Sequence, residues 1–134
     1  MKIIVDTNVL FSFFWKNSIT KKILSTSNFE LISPILALEE LKKYSEEIIK
    51  KTKIIKEQFN QEFSNLQKIV SFIDKNQYSF FLEEAEKIAP DKLDSHFFAL
   101  CLKFNCFLWS NDFILKRQDK IKVFSTEEII ELLF

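Results

Sequence analysis

The sequence contains no glycine in its 134 residues, and this absence restricts both what the chain can fold into and what it can bind. Glycine-rich loops hold the phosphates in Walker A proteins, dinucleotide-binding proteins and kinases, so these three classes are excluded. Tight β-hairpins of types I′ and II′ are disfavoured, because their turns need a positive φ that glycine supplies most readily.

Charge, hydropathy and cysteine content exclude further classes. The 19 basic and 19 acidic side chains balance, so no overall field attracts nucleic acid and any such binding must be local. The longest apolar runs, at residues 9–15 and 97–102, are too short to span a bilayer, and Asp6 comes too early for a signal peptide. Cys101 and Cys106 lie in apolar surroundings and are predicted to be buried thiols of a cytoplasmic protein.

Short apolar runs alternate along the chain with longer segments of helical periodicity. Strands are predicted at residues 3–5, 29–32, 78–81, 106–109 and 121–124. Helices are predicted at residues 8–16, 20–25, 34–51, 52–73, 82–88, 91–104, 113–117 and 126–133. This alternation implies βαβ units in a single domain over residues 1–134. We expect an α/β fold, a three-layer α/β/α sandwich with a mostly parallel central sheet, from which residues 34–73 extend as an α-helical hairpin that begins with Pro34 in its first turn.

Acidic residues follow two predicted strands and begin one predicted helix. Asp6 comes directly after the first strand, and Asp112 follows the strand at 106–109 by three residues. Asp91 and Asp94 lie in the first turn of the helix that precedes this strand. In right-handed βαβ units the strand C-termini and helix N-termini share one edge of the sheet, where α/β proteins bind their ligands. We therefore expect these carboxylates to converge there.

A further pair of acids lies on the helix that begins at Pro34. Glu39 and Glu40 are five and six residues beyond the proline, roughly 8–9 Å along the helix at about 1.5 Å per residue. Either side chain can lean toward the same edge, and helical periodicity does not separate the two.

Asp94 shares its helical stripe with the apolar residues Phe97, Phe98 and Cys101. A charge on an apolar face is costly unless it is paired or bound to a metal. His96 points about 160° away from this stripe, at about 100° per residue. We therefore expect His96 to be a solvated surface imidazole and not a metal ligand.

Each acid also has an ordinary structural explanation. Asp6, Asp91 and Asp112 could cap helices. Asp94 could be a first-turn acid that favours the helix dipole, and the two glutamates could simply be solvated. These explanations are reasonable singly, but together they require several coincidences at one edge of one sheet.

Carboxylates gathered without histidine or cysteine are typical of an oxygen-ligand site for Mg²⁺ or Mn²⁺, not for Zn²⁺. Two charges about 5 Å apart repel by roughly 3 kcal/mol at an effective dielectric near 20. Such a cluster either binds a proton or recruits a divalent cation. Metal ions held there would activate water for in-line displacement at a phosphodiester. The chain offers no nucleophile beside a histidine base, which disfavours acyl transfer through a catalytic triad.

Four segments resemble the signatures of the PIN-domain family. They are Val-Asp-Thr-Asn at 5–8, Pro34 with Leu-Glu-Glu-Leu at 38–41, Asp-x-x-Asp with a following Ala-Leu at 91–100, and Trp-Ser-Asn-Asp at 109–112. Their order and spacing are strongly specific, and the resemblance extends over essentially the whole chain. It is close to the stand-alone prokaryotic proteins of the family, which are similar to VapC-like ribonucleases.

The resemblance implies a metal-dependent ribonuclease that leaves a 3′-hydroxyl and a 5′-phosphate. The implied catalytic and metal-binding acids are Asp6, Glu40, Asp94 and Asp112. The resemblance adds Asp91 as a further metal ligand, acting through a metal-bound water. It implies that Thr7, Asn8 and Ser110 orient the carboxylates or bind a substrate phosphate.

The resulting hypothesis is a cytoplasmic endoribonuclease that uses Mg²⁺ or Mn²⁺ and cleaves RNA. As the resemblance implies, it would form a homodimer and act as the toxin of a toxin–antitoxin pair. The alternative is a catalytically silent PIN-like module that binds RNA or protein. A phosphohydrolase of the haloacid dehalogenase type is a third hypothesis, but it needs a second aspartate where Asn8 stands. Lysines at 42–56 and basic residues at 116–122 are either a solvated face or phosphate contacts, and residues 11–15 are either core or a dimer interface.

Overall fold

The computed structural model describes residues 1–26 and 28–133. The strands are β1 (Lys2–Val5), β2 (Glu30–Pro34), β3 (Val70–Ile73), β4 (Phe107–Trp109) and β5 (Val123–Phe124). The α-helices are α1 (Thr7–Phe11), α2 (Ile19–Thr26), α3 (Ile35–Lys43), α4 (Ser45–Thr52), α5 (Lys56–Ile69), α6 (Leu82–Ile88), α7 (Ser95–Phe104) and α8 (Thr126–Leu133). Short 3-10 segments lie at Ser12–Phe14, Lys75–Gln77, Ser79–Phe81, Lys92–Asp94 and Phe113–Arg117.

The strands form one parallel sheet in the order β3-β2-β1-β4-β5. The chain runs outward from β1 through β2 to β3, then crosses to the other side of β1 for β4 and β5. Because parallel crossovers are right-handed, this reversal places α1 to α5 on one face and α7 on the other. The predicted α/β fold, with helices flanking a parallel sheet, is confirmed. The point at which the winding reverses lies between the carboxyl ends of β1 and β4, and such a crevice is where doubly wound sheets bind their ligands.

The third strand is at Val70–Ile73, and the prediction of a strand at residues 78–81 is wrong. The helical spacing of residues 52–73 continues into β3, whereas residues 75–81 turn twice as short 3-10 segments. Tyr78 is buried in this turn, while Phe80 is 89% exposed. A short apolar run does not distinguish a strand from an irregular segment anchored by one buried side chain.

The predicted helix at 34–51 is two helices. Pro34 ends β2 in an extended conformation, with φ −73° and ψ 152°, so the helix begins at Ile35 and not at the proline. The chain then bends at Tyr44, where φ is −99° and ψ is 20°, and α3 gives way to α4. Lys53 turns the chain toward α5 with a positive φ of 61°. The segment predicted as a hairpin of two helices therefore contains three helices, α3, α4 and α5, and ends in β3.

The core lies on both faces of the sheet. Ile3, Ile4 and Val5 are fully buried, as expected of a central parallel strand covered by helices on both sides. Phe98 of α7 is also fully buried. The run at 11–15 is mixed: Phe13 and Phe14 are buried, Phe11 is half-buried and Trp15 is exposed. No helix within the described residues has the length and apolar character that crossing a membrane requires.

The two cysteines differ in their burial. Cys101 is buried as predicted, but Cys106 is only half-buried, so the prediction is wrong for this thiol. Cys101 lies within α7, whereas Cys106 immediately precedes β4 at the amino end of the sheet. The sequence pattern indicates that the neighbours of Cys106 are apolar, but it does not indicate how completely they cover its side chain.

Candidate active site

Asp6 lies at the carboxyl end of β1, where the winding of the sheet reverses. Its amide donates to the Trp109 carbonyl at 3.0 Å, which joins the ends of β1 and β4. Its own carbonyl accepts from Val9 and Leu10 at 3.0 and 3.1 Å, so α1 begins here. The carboxylate makes no capping bond to α1, although the residue is only 7% exposed. The amides of Thr7 and Asn8 still favour the charged form of this carboxylate, so capping accounts for part of its setting.

Ser110 holds the Asp6 carboxylate. Its hydroxyl donates to Asp6 Oδ2 at 2.7 Å and accepts from the Asp112 amide at 3.1 Å. Its own amide donates to the Phe124 carbonyl of β5 at 3.0 Å. Burial raises the pKa of Asp6, and the bond from Ser110 acts in the opposite direction. Ser110 thus connects the segments after β1 and β4 and favours the charged form of a buried acid.

Asp112 and Asp91 do cap 3-10 segments. Asp112 Oδ1 accepts from the Ile114 amide at 3.0 Å, and Asp91 Oδ1 accepts from the Leu93 amide at 3.0 Å. Asp112 is half-buried and Asp91 is exposed. The ordinary explanation therefore holds for one oxygen of each carboxylate. Within the described part of the chain, neither Oδ2 atom accepts a hydrogen bond.

Asp94 lies at the end of the 3-10 segment that leads into α7, and it makes no capping bond. The residue is half-buried. Burial raises its pKa to about 6, and repulsion from Asp6, Asp91, Asp112 and Glu40 acts in the same direction. The charges of acids from three other segments or turns, at Asp6, Glu40 and Asp112, therefore act on Asp94 together with that of Asp91.

Glu40 and Glu39 have different burial and different charged neighbours in the structure. Glu40 is half-buried. Burial raises its pKa, and so does the charge of Asp6, while Lys43 partly offsets both. Glu39 is exposed, and its charge acts on Tyr78 instead. Of the two glutamates that periodicity left open, Glu40 is the one that faces Asp6.

None of the acids around Asp6 is neutralised by an ion pair within residues 1–26 and 28–133. The ion pairs formed by these residues lie elsewhere, at Lys2–Glu30, Lys21–Glu62 and Lys116–Glu128. Negative charge at this edge is therefore largely uncompensated by the chain itself, an arrangement that favours a bound cation.

The donor set fits a hard divalent cation in its chemistry, although it is not already assembled. Among the described residues, no three side chains of His, Cys, Asp or Glu are close enough together to form a metal-binding group. The available donors are all oxygens, as Mg²⁺ and Mn²⁺ prefer. Thr7 Oγ1, adjacent to Asp6, is buried and has no hydrogen-bond partner in the described part of the chain. A buried hydroxyl of this kind normally has a partner, and a ligand at the acids would provide one.

The remaining predicted residues have different settings. Thr7 is buried beside Asp6, whereas Asn8 is exposed and lines a groove whose lining includes none of the predicted acids. His96 is not a solvated imidazole, so that prediction is wrong. It is half-buried, and its Nδ1 lies 2.7 Å from the Tyr78 hydroxyl. Tyr78 reaches it from the turn that the sequence pattern assigned to a strand.

Sequence reasoning also missed Tyr44, whose side chain lines the same groove as Asn8. The residue is exposed because the helix bends there and carries the ring away from the core. The only signal in the sequence was an aromatic residue that interrupts the polar end of a helix, which is too common to be specific.

Comparison with known proteins agrees with the fold. A family model for the PIN domain matches residues 4–130. Among solved structures, the chain is similar to one in the crystal structure of VapBC2 from Rickettsia felis bound to a DNA fragment from their promoter. The TM-score is 0.63 at 19% identity, and the match covers 93% of this chain and 98% of that chain. At this identity the likeness establishes the fold and not the activity. No curated protein matches the sequence. Because the family model spans nearly the whole chain, from β1 to α8, the chain belongs to the PIN-domain family.

Proposed function

We propose that this chain is an endoribonuclease that uses Mg²⁺ or Mn²⁺, held by Asp6, Glu40, Asp94 and Asp112, to hydrolyse RNA phosphodiester bonds. Asp91 would contribute through water at the exposed side of the same group. The observation that carries the proposal is the set of half-buried and buried acids around Asp94 at the switch point of the sheet, to which no cationic side chain of the described residues is paired.

Each residue has a role that follows from its position. Ser110 fixes Asp6 in one orientation and favours its ionised form. Asp94 holds a proton more readily than an ordinary aspartate, because its pKa is about 6. Thr7 Oγ1 and the Asn8 side chain supply a hydroxyl and an amide toward a substrate phosphate. When bound, a divalent cation would lower the repulsion among the acids, activate water and stabilise charge on the phosphate.

The biological setting follows from the family and stays a proposal. We propose a toxin role with an antitoxin partner, a homodimer and a cytoplasmic location. The structural neighbour comes from a complex of VapBC2 with promoter DNA, and this is consistent with a two-component system. The toxin role predicts that expression of the chain slows growth. It also predicts that the Asp6→Asn variant does not, and that the product of an adjacent small reading frame restores growth.

The alternative, a catalytically silent module that binds RNA or protein, is favoured by one observation. The described acids do not form a ready metal-binding group. This alternative predicts RNA binding without metal-dependent turnover. A phosphohydrolase acting on small esters would instead hydrolyse p-nitrophenyl phosphate.

Cleavage of labelled single-stranded RNA in the presence of Mg²⁺ or Mn²⁺ tests the proposal. We expect Asp6→Asn and Asp94→Asn to lower the rate by at least about 100-fold, since removing a group that holds a catalytic metal removes several kcal/mol of transition-state stabilisation. The adjacent glutamates provide a matched pair, because Glu40→Gln should impair cleavage and Glu39→Gln should not. Equal rates for the wild type and both aspartate variants would show that these acids are not the active site.

A further inference from the structure

A groove with a volume of about 420 Å³ lies beside the acidic edge. It is lined by Asn8 and Phe11 of α1, by Trp15, and by Tyr44 at the end of α3. The groove is open to solvent and combines aromatic rings with amide, carboxylate and ammonium groups. Its size falls in the range of small-molecule sites, which is roughly 300–1,000 Å³.

Two residues that line the groove, Asn8 and Tyr44, are close along the chain to acids of the proposed active site. Asn8 is two residues from Asp6 along α1, and it lines the groove. Tyr44 is one helical turn beyond Glu40, and its amide donates to the Glu40 carbonyl at 3.0 Å. One turn of a helix is about 5.4 Å long. The walls of the groove therefore begin about one turn away from Asp6 and Glu40.

The aromatic rings in the groove are only partly covered by the protein. Trp15 is 47% exposed and Tyr44 is 38% exposed. Each has a buried counterpart in this chain, since Trp109 and Tyr78 are almost fully buried. Large rings that remain half-exposed beside a site are the groups on which unpaired bases stack.

The polar groups of the groove complement a nucleotide. Lys51 lines it, and the Lys43 ammonium lies 5.5 Å from the centroid of the Tyr44 ring. Ammonium groups in these positions can contact a phosphate backbone. Glu47 also lines the groove and supplies a hydrogen-bond acceptor. Carboxylates accept hydrogen bonds from the exocyclic amine of a base.

We propose that this groove binds an unpaired base of the RNA strand, stacked on Trp15 and Tyr44, while the adjoining phosphate lies at the acids. The inference rests on the proposed nuclease function and defines its substrate as single-stranded RNA. Glu47 makes the groove favour bases that carry an exocyclic amine over uracil. Paired bases do not enter, because a base inside a duplex keeps its faces stacked on its neighbours.

Binding without metal separates this inference from catalysis. In the Asp6→Asn variant with EDTA present, short single-stranded oligoribonucleotides should quench the emission of Trp15, and the same sequence in a duplex should not. Trp109 is buried, so Trp15→Phe should abolish the change in signal. Trp15→Ala and Tyr44→Ala should each weaken binding, measured by fluorescence anisotropy of labelled RNA, by about 5- to 150-fold. Tyr44→Phe should retain binding, because it keeps the stacking face.

Phe80→Ala is the control, since it removes an aromatic ring that is 89% exposed and does not line the groove. If Trp15→Ala and Tyr44→Ala bind RNA as the parent and the control do, the base-binding groove is refuted even where the wild type cleaves RNA. If they bind RNA normally but lose a dimer or a co-purifying protein partner, the groove is a protein interface and the inference is also refuted. If the wild type does not cleave RNA with any metal, the nuclease proposal fails, and the quenching measurement still decides whether the groove binds a base.

The role of Glu47 has its own test. Weaker binding of oligouridine than of oligocytidine would support it, provided that this difference in affinity disappears in Glu47→Gln.

Discussion

Among single residues, Ser110 has the most demanding position, because its one hydroxyl serves two loops. It donates to the Asp6 carboxylate and accepts from the Asp112 amide. The residue is 1% exposed, so water does not readily replace either bond. A single serine is not a recognisable sequence motif on its own, yet this one orients the central acid of the site.

We predict that Ser110→Ala lowers the free energy of unfolding by about 1–3 kcal/mol, because it leaves a buried carboxylate and an amide without their partner. It also raises the pKa of Asp6 further, since the bond that lowers it is gone. Cleavage by the variant should recover as pH rises, and Ser110→Thr should preserve more activity than alanine. A pH profile that coincides with that of the wild type would contradict the positioning role.

Asp94 predicts a pH dependence of stability in the metal-free protein. Its pKa in the folded protein is about 6 against a usual 3.8, so between these values the folded protein holds a proton that the unfolded chain has lost. Stability therefore falls as pH rises from about 4 to above 6. Asp94→Asn should remove this loss and stabilise the metal-free protein at pH 7 by about 1 kcal/mol, a figure already reduced for solvent screening.

Melting temperature in EDTA across pH 4.5–7.5 measures this dependence. The expected result is a declining curve for the wild type and a flatter one for Asp94→Asn. Asp119→Asn is a suitable control, because Asp119 is exposed and lies outside the acid cluster. Parallel curves for the wild type and Asp94→Asn would contradict the prediction.

At the scale of elements, the absence of glycine means that other residues must adopt the positive φ angles that some turns require. Two non-glycine residues have positive φ in the described part of the chain: Lys53 at 61°, after α4, and Asn105 at 50°, after α7. Asparagine tolerates the left-handed region, whereas lysine has no side-chain compensation for it. The α4–α5 turn is therefore the strained one.

We predict that Lys53→Gly raises the free energy of unfolding by up to about 1 kcal/mol, because glycine removes a left-handed penalty of roughly that size and Lys53 is exposed. Asn105→Gly should change stability by less. Urea denaturation measures the free energy of unfolding of both variants, with the m-value expected to stay the same as in the wild type. A gain in Asn105→Gly that equals or exceeds the gain in Lys53→Gly would show that the turn after α4 is not strained as inferred.

For the whole molecule, the order of the strands decides where charge accumulates. The parallel sheet sends the ends of β1 and β4 to one edge, on either side of the point where the winding reverses. No cationic side chain of the described residues is paired to the acids there, so their mutual repulsion opposes folding. A cation that binds only the folded protein relieves this repulsion.

We predict that Mg²⁺ or Mn²⁺ raises the melting temperature of the wild type through this linkage. Free metal at about 100 times its Kd adds about 2.7 kcal/mol to the free energy of unfolding. The shift should be much smaller in a variant that combines Asp6→Asn with Asp94→Asn, and isothermal calorimetry should show the same difference. A shift of equal size in the wild type and in this variant would place the metal elsewhere.

The sequence by itself determined the class of fold, and it supplied the acids proposed for the site while leaving Glu39 and Glu40 open. Apolar runs in β1 and β4, helical periodicity between them, and an acid after each strand are local features, and the parallel sheet follows from them. The sequence did not locate β3, because the apolar spacing of α5 continues into it without a break. It also did not separate Glu39 from Glu40, since adjacent residues on a helix differ by only about 100°.

Only the tertiary structure decided these questions, because each depends on what packs against a residue from a distant part of the chain. The position of α3 in the fold brings Glu40 within the influence of the Asp6 charge, and the Tyr44 ring at the end of this helix is exposed. The buried Tyr78 anchors a turn and pairs with His96. Burial and the charges of other segments give Asp94 its unusual pKa. Local pattern fixes which side chains are available, and long-range packing fixes which of them meet.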